Sequence, residues 1–111
     1  EECRELFIQS EANTILISHT AVVRDSYEEA EVKQVTNTIL EIFRPVLVFI
    51  SSKNKSIDNK GFIICVLSYL GYNNVEISLF LNVSAESVRQ RVKRIKETFD
   101  TELYKCIFMK N

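Results

Sequence analysis

Only two glycines and one proline stand in 111 residues. A β-sandwich or barrel spends such residues at most of its turns, so this chain is poorly equipped to reverse one short strand into another. Its apolar residues fall instead at helical spacing. Val32, Val35, Ile39, Ile42 and Phe43 make one stripe, the signature of a helix with one buried face. The expected fold class is therefore all-α. The length suits one domain. At 46% hydrophobic and 26% charged, it can bury roughly two thirds of its unfolded surface without a metal or disulfide.

Start and stop signals divide the chain into helices. Residues 4–17 carry Leu6, Phe7, Ala12, Ile15 and Leu16 at helical spacings, although Thr14–Ser18 also suits a strand. Ser26 with Glu29 reads as a capping box opening the next helix. Pro45 either kinks that helix or begins a new one through Ser51. Residues 52–56, Ser-Lys-Asn-Lys-Ser, read as a linker. Asp58 caps a helix to about Leu70, with Gly71 as its left-handed stop. A short helix from Asn74 to Leu81 ends at Asn82, another candidate for a left-handed turn. Ser84 caps a helix to about Phe99, and residues 101–109 suit a last short helix folding back on the core. The expected organisation is a helical N-terminal layer, residues 1–56, packed as one compact domain on a helix-turn-helix region, residues 57–111.

The net charge of −1 conceals a polarity. Residues 1–44 hold four Lys/Arg against nine Asp/Glu, whereas residues 45–111 hold ten against six. Within the second part, Arg89, Arg91, Lys93, Arg94 and Lys96 crowd one helix against only Glu86 and Glu97. Taken alone, such a helix is most often a solvated face. Enzyme classes find little support. A single histidine, His19, leaves no multi-histidine metal site and reads as structural, and Cys3, Cys65 and Cys106 have no metal-ligand spacing. No nucleophile elbow, P-loop or dinucleotide fingerprint is present. The chain is read as a non-enzyme without cofactor or metal. Its three cysteines read as reduced thiols of a cytoplasmic protein. The acidic start, Glu-Glu-Cys-Arg, does not resemble a signal peptide. No apolar run is long enough to span a bilayer, so no membrane contact is expected. A start at Glu1 is read as the beginning of an excised piece of a longer protein, in one version the cytosolic end of a membrane-anchored sensor.

Residues 58–99 carry the most information. Helices of about 13, 8 and 14 residues, joined by tight connections at 71–73 and 82–84, fit the helix-turn-helix pattern. On a helical wheel of the last helix, Val88, Val92, Ile95 and Phe99 form a buried stripe. Glu86, Gln90 and Lys93 point the opposite way, with Arg89 and Lys96 on one shoulder and Arg94 on the other. Arg and Lys can donate to guanine, Gln can pair with adenine, and flanking cations can meet phosphates.

The run Gly71-Tyr-Asn-Asn-Val-Glu76-Ile77-Ser-Leu-Phe-Leu81-Asn-Val83-Ser84-Ala-Glu-Ser-Val88-Arg89-Gln-Arg-Val92-Lys-Arg94-Ile95 resembles the LuxR-type helix-turn-helix and is similar to sigma-factor region four. The likeness is gapless from Ile57 to Phe99. With Leu6-Phe-Ile-Gln-Ser-Glu11 and Ile64-Cys65-Val-Leu67, the chain also resembles the C-terminal DNA-binding domains of Bacteroidetes sensor-regulators, in which a helical N-terminal layer packs on the helix-turn-helix. The resemblance implies a transcriptional regulator. Arg89, Gln90, Lys93 and Glu86 would face bases, and Asn73, Asn74, Ser84, Ser87, Arg94 and Lys96 would lie near phosphates. Its implied partners are double-stranded DNA, a second copy of the chain and RNA polymerase. Two departures stand out. Val75 occupies a position where the family usually has Lys, and Leu79 and Phe80 replace residues that are often charged. The N-terminal helices are expected to cover those two apolar groups; uncovered, they would form an interaction patch.

Two other classes compete with this expectation. One is a protein-interaction module that has lost DNA binding and grips a partner through Leu79, Phe80 and the acidic helix 27–41. The other is a ligand-sensing bundle built around Phe43, Phe49, Phe62 and Phe80. Tyr69, Tyr72 and Tyr104 are candidates to stack on bases, with Tyr69 and Tyr72 better suited to packing beside Gly71.

Overall fold

A computed structural model describes residues 2–11 and 29–109. The expected cap Ser26, the single histidine His19 and the expected course of the first helix from residue 12 to 17 lie outside the described residues. Within them the chain is all-α, with no strand. The helices are α1 (Glu2–Glu11), α2 (Glu29–Ile42), α3 (Arg44–Lys53), α4 (Asn59–Tyr69), α5 (Asn74–Leu81), α6 (Ala85–Thr98) and α7 (Thr101–Phe108).

Pro45 begins a helix instead of kinking one. It sits in the first turn of α3, where its missing N–H is no loss, and the axes of α2 and α3 diverge by 76°. The expected linker at 52–56 is shorter and more tightly held than its composition suggests. α3 runs on to Lys53, and Asn54 Oδ1 accepts from the Ser56 amide and hydroxyl at 3.2 and 2.7 Å. The Asn54 amide donates to Thr98 Oγ1 at 3.0 Å, so this turn is fastened to the end of α6.

α4 is the central helix. Every side chain from Phe62 to Leu67 is buried, and a helix apolar all round must be surrounded by others. α2, α5, α6 and α7 pack against it, while α1 lies on α3 and α7. One apolar cluster takes buried residues from every described helix, among them Phe7, Ile39, Ile50, Leu67, Phe80, Val88 and Leu103. Each such side chain contributes about 1.5–3 kcal/mol by leaving water. Phe7 joins the first helix to that core, its ring stacked on Tyr69 at 4.1 Å and tilted against Phe43 at 5.9 Å. At the other end, Lys53 reaches Glu102 at 3.3 Å and Asp100 at 3.8 Å, tying α3 to the start of α7.

Four phenylalanines are the candidates for the cage of a ligand-sensing bundle. Phe43, Phe62 and Phe80 are fully buried, but Phe49 is only half-buried and lies 4.9 Å beneath the Lys53 ammonium. The three cysteines carry no disulfide and are buried. Burial pushes Cys65 up to about 12, and a hydrogen bond with Cys106, then burial, raises Cys3. Such thiols act as small hydrophobes. Among the described residues, no single helix is long and apolar enough to cross a membrane.

Candidate nucleic-acid interface

The site begins at a chain reversal. α4 ends with Gly71 at φ +100°, where the Gly71 amide donates to Ser68 O and the Tyr72 amide to Leu67 O, at 3.1 and 3.0 Å. This bond pair closes a helix around one left-handed residue. Asn73 then opens α5 through a reciprocal capping box with Glu76: the Glu76 amide donates to Asn73 Oδ1, and the Asn73 amide to Glu76 Oε1, at 2.8 and 2.9 Å. The α5 end repeats the first motif with asparagine. Asn82 is left-handed at φ 55°, and Val83 donates back to Ser78 O at 3.1 Å. Ser84 finally caps α6, accepting from the Ser87 amide at 3.0 Å. Residues Asn82 to Ser84 thus form a tight turn between two capped helices, and α5 and α6 are closely packed on one another.

α6 presents the faces its wheel predicts. Val88, Val92 and Phe99 are buried and Ile95 half-buried, whereas Glu86, Arg89, Gln90, Lys93, Arg94, Lys96 and Glu97 are exposed. Its orientation is fixed partly by Arg91, which donates to both carboxylate oxygens of Asp58 at 3.0 and 3.2 Å. Asp58 simultaneously accepts from the Gly61 amide at 2.8 Å as the cap of α4. The Arg91 guanidinium and this amide together hold the Asp58 carboxyl below the usual carboxylate range.

Two depressions flank α6. On one shoulder, Asn74, Arg89, Val92, Lys93, Lys96, Glu97 and Tyr104 line an open groove of about 320 Å³. Four residues expected to touch DNA are thereby brought together, with Tyr104 added from α7. The same helix supports Lys96, whose ammonium lies 5.0 Å from the Phe108 ring and 5.9 Å from the Tyr104 ring. On the other shoulder, Arg94 lines a separate cleft of about 280 Å³ with Asp58, Arg91 and Thr98. Arg94 is therefore apart from the Arg89–Lys93–Lys96 group, across the helix from it. Ser84 and Ser87 stand at the exposed start of α6, their hydroxyls 2.9 Å apart. Asn73 is exposed at the start of α5, its amide oxygen already committed to the cap.

The Glu86 carboxylate is engaged by its neighbours on α6. Arg89 donates to it through Nε at 2.9 Å and through Nη2, and Gln90 Nε2 lies within 3.4 Å. The Arg89 hydrogen bonds pull the Glu86 carboxyl down to about 2 and raise the Arg89 guanidinium. The i,i+3 spacing of Glu86 and Arg89 was a legible signal for this pair. Leu79 and Phe80 also separate: Phe80 is fully buried, while Leu79 is 46% exposed beside Val75 at 59%, one turn earlier. Phe80 is buried with α5 packed chiefly on α6 and α4 rather than on the N-terminal helices expected to cover it, and Leu79 is left exposed. Tyr69 is buried against Phe7 and cannot stack on a base.

Comparison of the chain with protein-family models, with curated proteins and with solved structures finds no match in any of the three.

Proposed function

We propose that this chain binds duplex DNA as part of a transcriptional regulator, with α6 in the major groove. The observation that carries the reading is the division of one capped helix. Val88 and Val92 are buried beneath it, while Arg89, Gln90 and Lys93 stand exposed after a tight turn from α5. A major groove admits a helix of this kind, and outward side chains there meet base edges. Lys96 on one shoulder and Arg94 on the other supply cations to the two phosphate walls. Ser84 and Ser87 at the start of α6, and Asn73 and Asn74 at the start of α5, offer further polar groups to the backbone. A single module of this size buries only about 600–1,000 Å² on DNA, so useful specificity asks for a second copy or a tandem site.

Charge reversal on α6 tests the reading. Lys93→Glu should weaken binding to a mixed-sequence duplex by about tenfold or more at low salt. Lys33→Glu, an equal change of charge on α2, should have little effect. Equal losses from the two variants would show a response to net charge alone, and the assignment to α6 would fail.

The exposed pair Val75 and Leu79, with Val83 just beyond, favours a second reading, a protein-interaction module whose helix-turn-helix no longer binds DNA. Under it, Leu79→Asp abolishes partner binding and no duplex binds at any salt concentration.

A further inference from the structure

The strongest chemistry left over lies on the outward face of α6, where three side chains form one hydrogen-bonded unit. Arg89 donates Nε–H and one Nη2–H to the two oxygens of Glu86, and the Gln90 amide approaches the same carboxylate at 3.4 Å. All three residues are exposed, so nothing buried holds them in this arrangement.

A guanidinium carries five N–H donors in a planar fork. The two spent on Glu86 come from its side-on edge. Both Nη1 hydrogens and one Nη2 hydrogen remain, so the end-on edge still offers two parallel donors. Guanine presents two acceptors of matching spacing, O6 and N7, on its major-groove edge. No other base does: adenine pairs its N7 with an amino donor, thymine shows one acceptor beside a methyl, and cytosine shows a donor. A carboxylate that fixes the side-on edge therefore turns a mobile cation into a directed guanine reader. It also reduces the side-chain freedom still to be lost on binding.

Resting on the DNA-binding reading above, we infer that Glu86 is a positioning residue that aims the end-on edge of Arg89 at a guanine and so sets the base preference of this helix. Glu86 then touches no base itself, because its oxygens are occupied. It also repels phosphate, which penalises non-specific docking. Gln90 keeps its amide oxygen and one N–H, the pair that meets adenine N6 and N7, so the neighbouring position favours adenine.

The test is selection from a randomised duplex library with the whole chain, followed by affinity measurements on the selected site and its single-base variants. Wild type should select guanine at one position and discriminate against the other bases by about ten- to a hundredfold, the range for a bidentate pair. Glu86→Ala should bind mixed-sequence duplex more tightly than wild type, because a charge that repels phosphate is gone, yet lose most of that discrimination. Glu86→Gln, which keeps one acceptor, should fall between them. Arg89→Lys should weaken the guanine preference, since an ammonium can donate to guanine but has no planar fork for Glu86 to aim. If wild type selects guanine and Glu86→Ala selects it equally well, DNA binding stands and the positioning role is overturned. If wild type binds no duplex at low salt, the DNA-binding reading falls and this inference falls with it.

Discussion

At the scale of single residues, one glycine sets the connection between α4 and α6. Alanine is the better helix former, by roughly 0.5–1 kcal/mol in a helix interior, so Gly61 in the first turn of α4 looks like a defect. A Cβ there would lie 3.0 Å from Asp58 Oδ1 and 3.3 Å from Ile57 Cγ1. Asp58 Oδ1 is the atom that caps α4 and receives Arg91. Gly61→Ala should therefore destabilise the native chain, while the same substitution in an Asp58→Ala background should stabilise it, a sign reversal that a double-mutant cycle in urea reads directly. Gain in both backgrounds would remove the steric explanation. The Asp58–Arg91 pair joins residues 33 apart in sequence, and no local pattern announces it. Its carboxyl pKa lies below the ordinary value, so its contribution is present above the unfolded pKa and is lost as pH falls through the folded one.

Helices are the scale at which the sequence was most legible. Asp58, Ser84, Gly71 and Asn82 perform the capping and stopping roles their chemistry suggests, because those bonds close within a few residues. The buried stripe of α6 was legible for the same reason, since its period is fixed by helix geometry. Its two faces respond differently to substitution. Ser84→Ala should cost about 1 kcal/mol through removal of the cap, measurable as a shift in urea midpoint at unchanged slope. Val88→Asp buries a charge without a partner in the stripe, and the far-ultraviolet helical signal should be largely abolished at 25 °C. Arg89→Ala, one residue along but exposed, should leave that signal intact. If Val88→Asp folds as wild type does, the packing of α6 on the core is wrong. What periodicity left undecided was partner choice. Leu79 and Phe80 are adjacent and both apolar, but lie about 100° apart on a helix. Phe80 shares its face with Ile77, three residues earlier and also buried, a spacing that distinguishes them. Pro45 was ambiguous because a kink and a new first turn satisfy the same missing donor, and only tertiary packing chooses.

For the whole molecule, the apolar cluster makes stability sensitive to alkali. Burial raises Cys65 to about 12 from an ordinary thiol value of 9.0. The unfolded chain releases this proton first, so stability is fully present below about pH 9 and is lost as pH rises through the folded pKa. The urea midpoint should fall between about pH 9 and pH 11, and fall less in Cys65→Ala. An equal decline in both proteins would mean that other groups, the Cys3 and Cys106 pair included, dominate the alkaline transition. Charge is organised at this scale too. The residues before Pro45 carry an excess of acid and those after it an excess of base, with cations on both shoulders of α6. The most direct test of DNA docking through this helix is a salt titration of binding to mixed-sequence duplex, comparing wild type with Arg94→Ala/Lys96→Ala. Docking predicts a steep linear fall of log affinity with log salt in wild type and a slope smaller by about two units in the variant, about one for each phosphate that no longer meets a cation. A wild-type affinity that does not change with salt, or a variant slope equal to that of wild type, would contradict it.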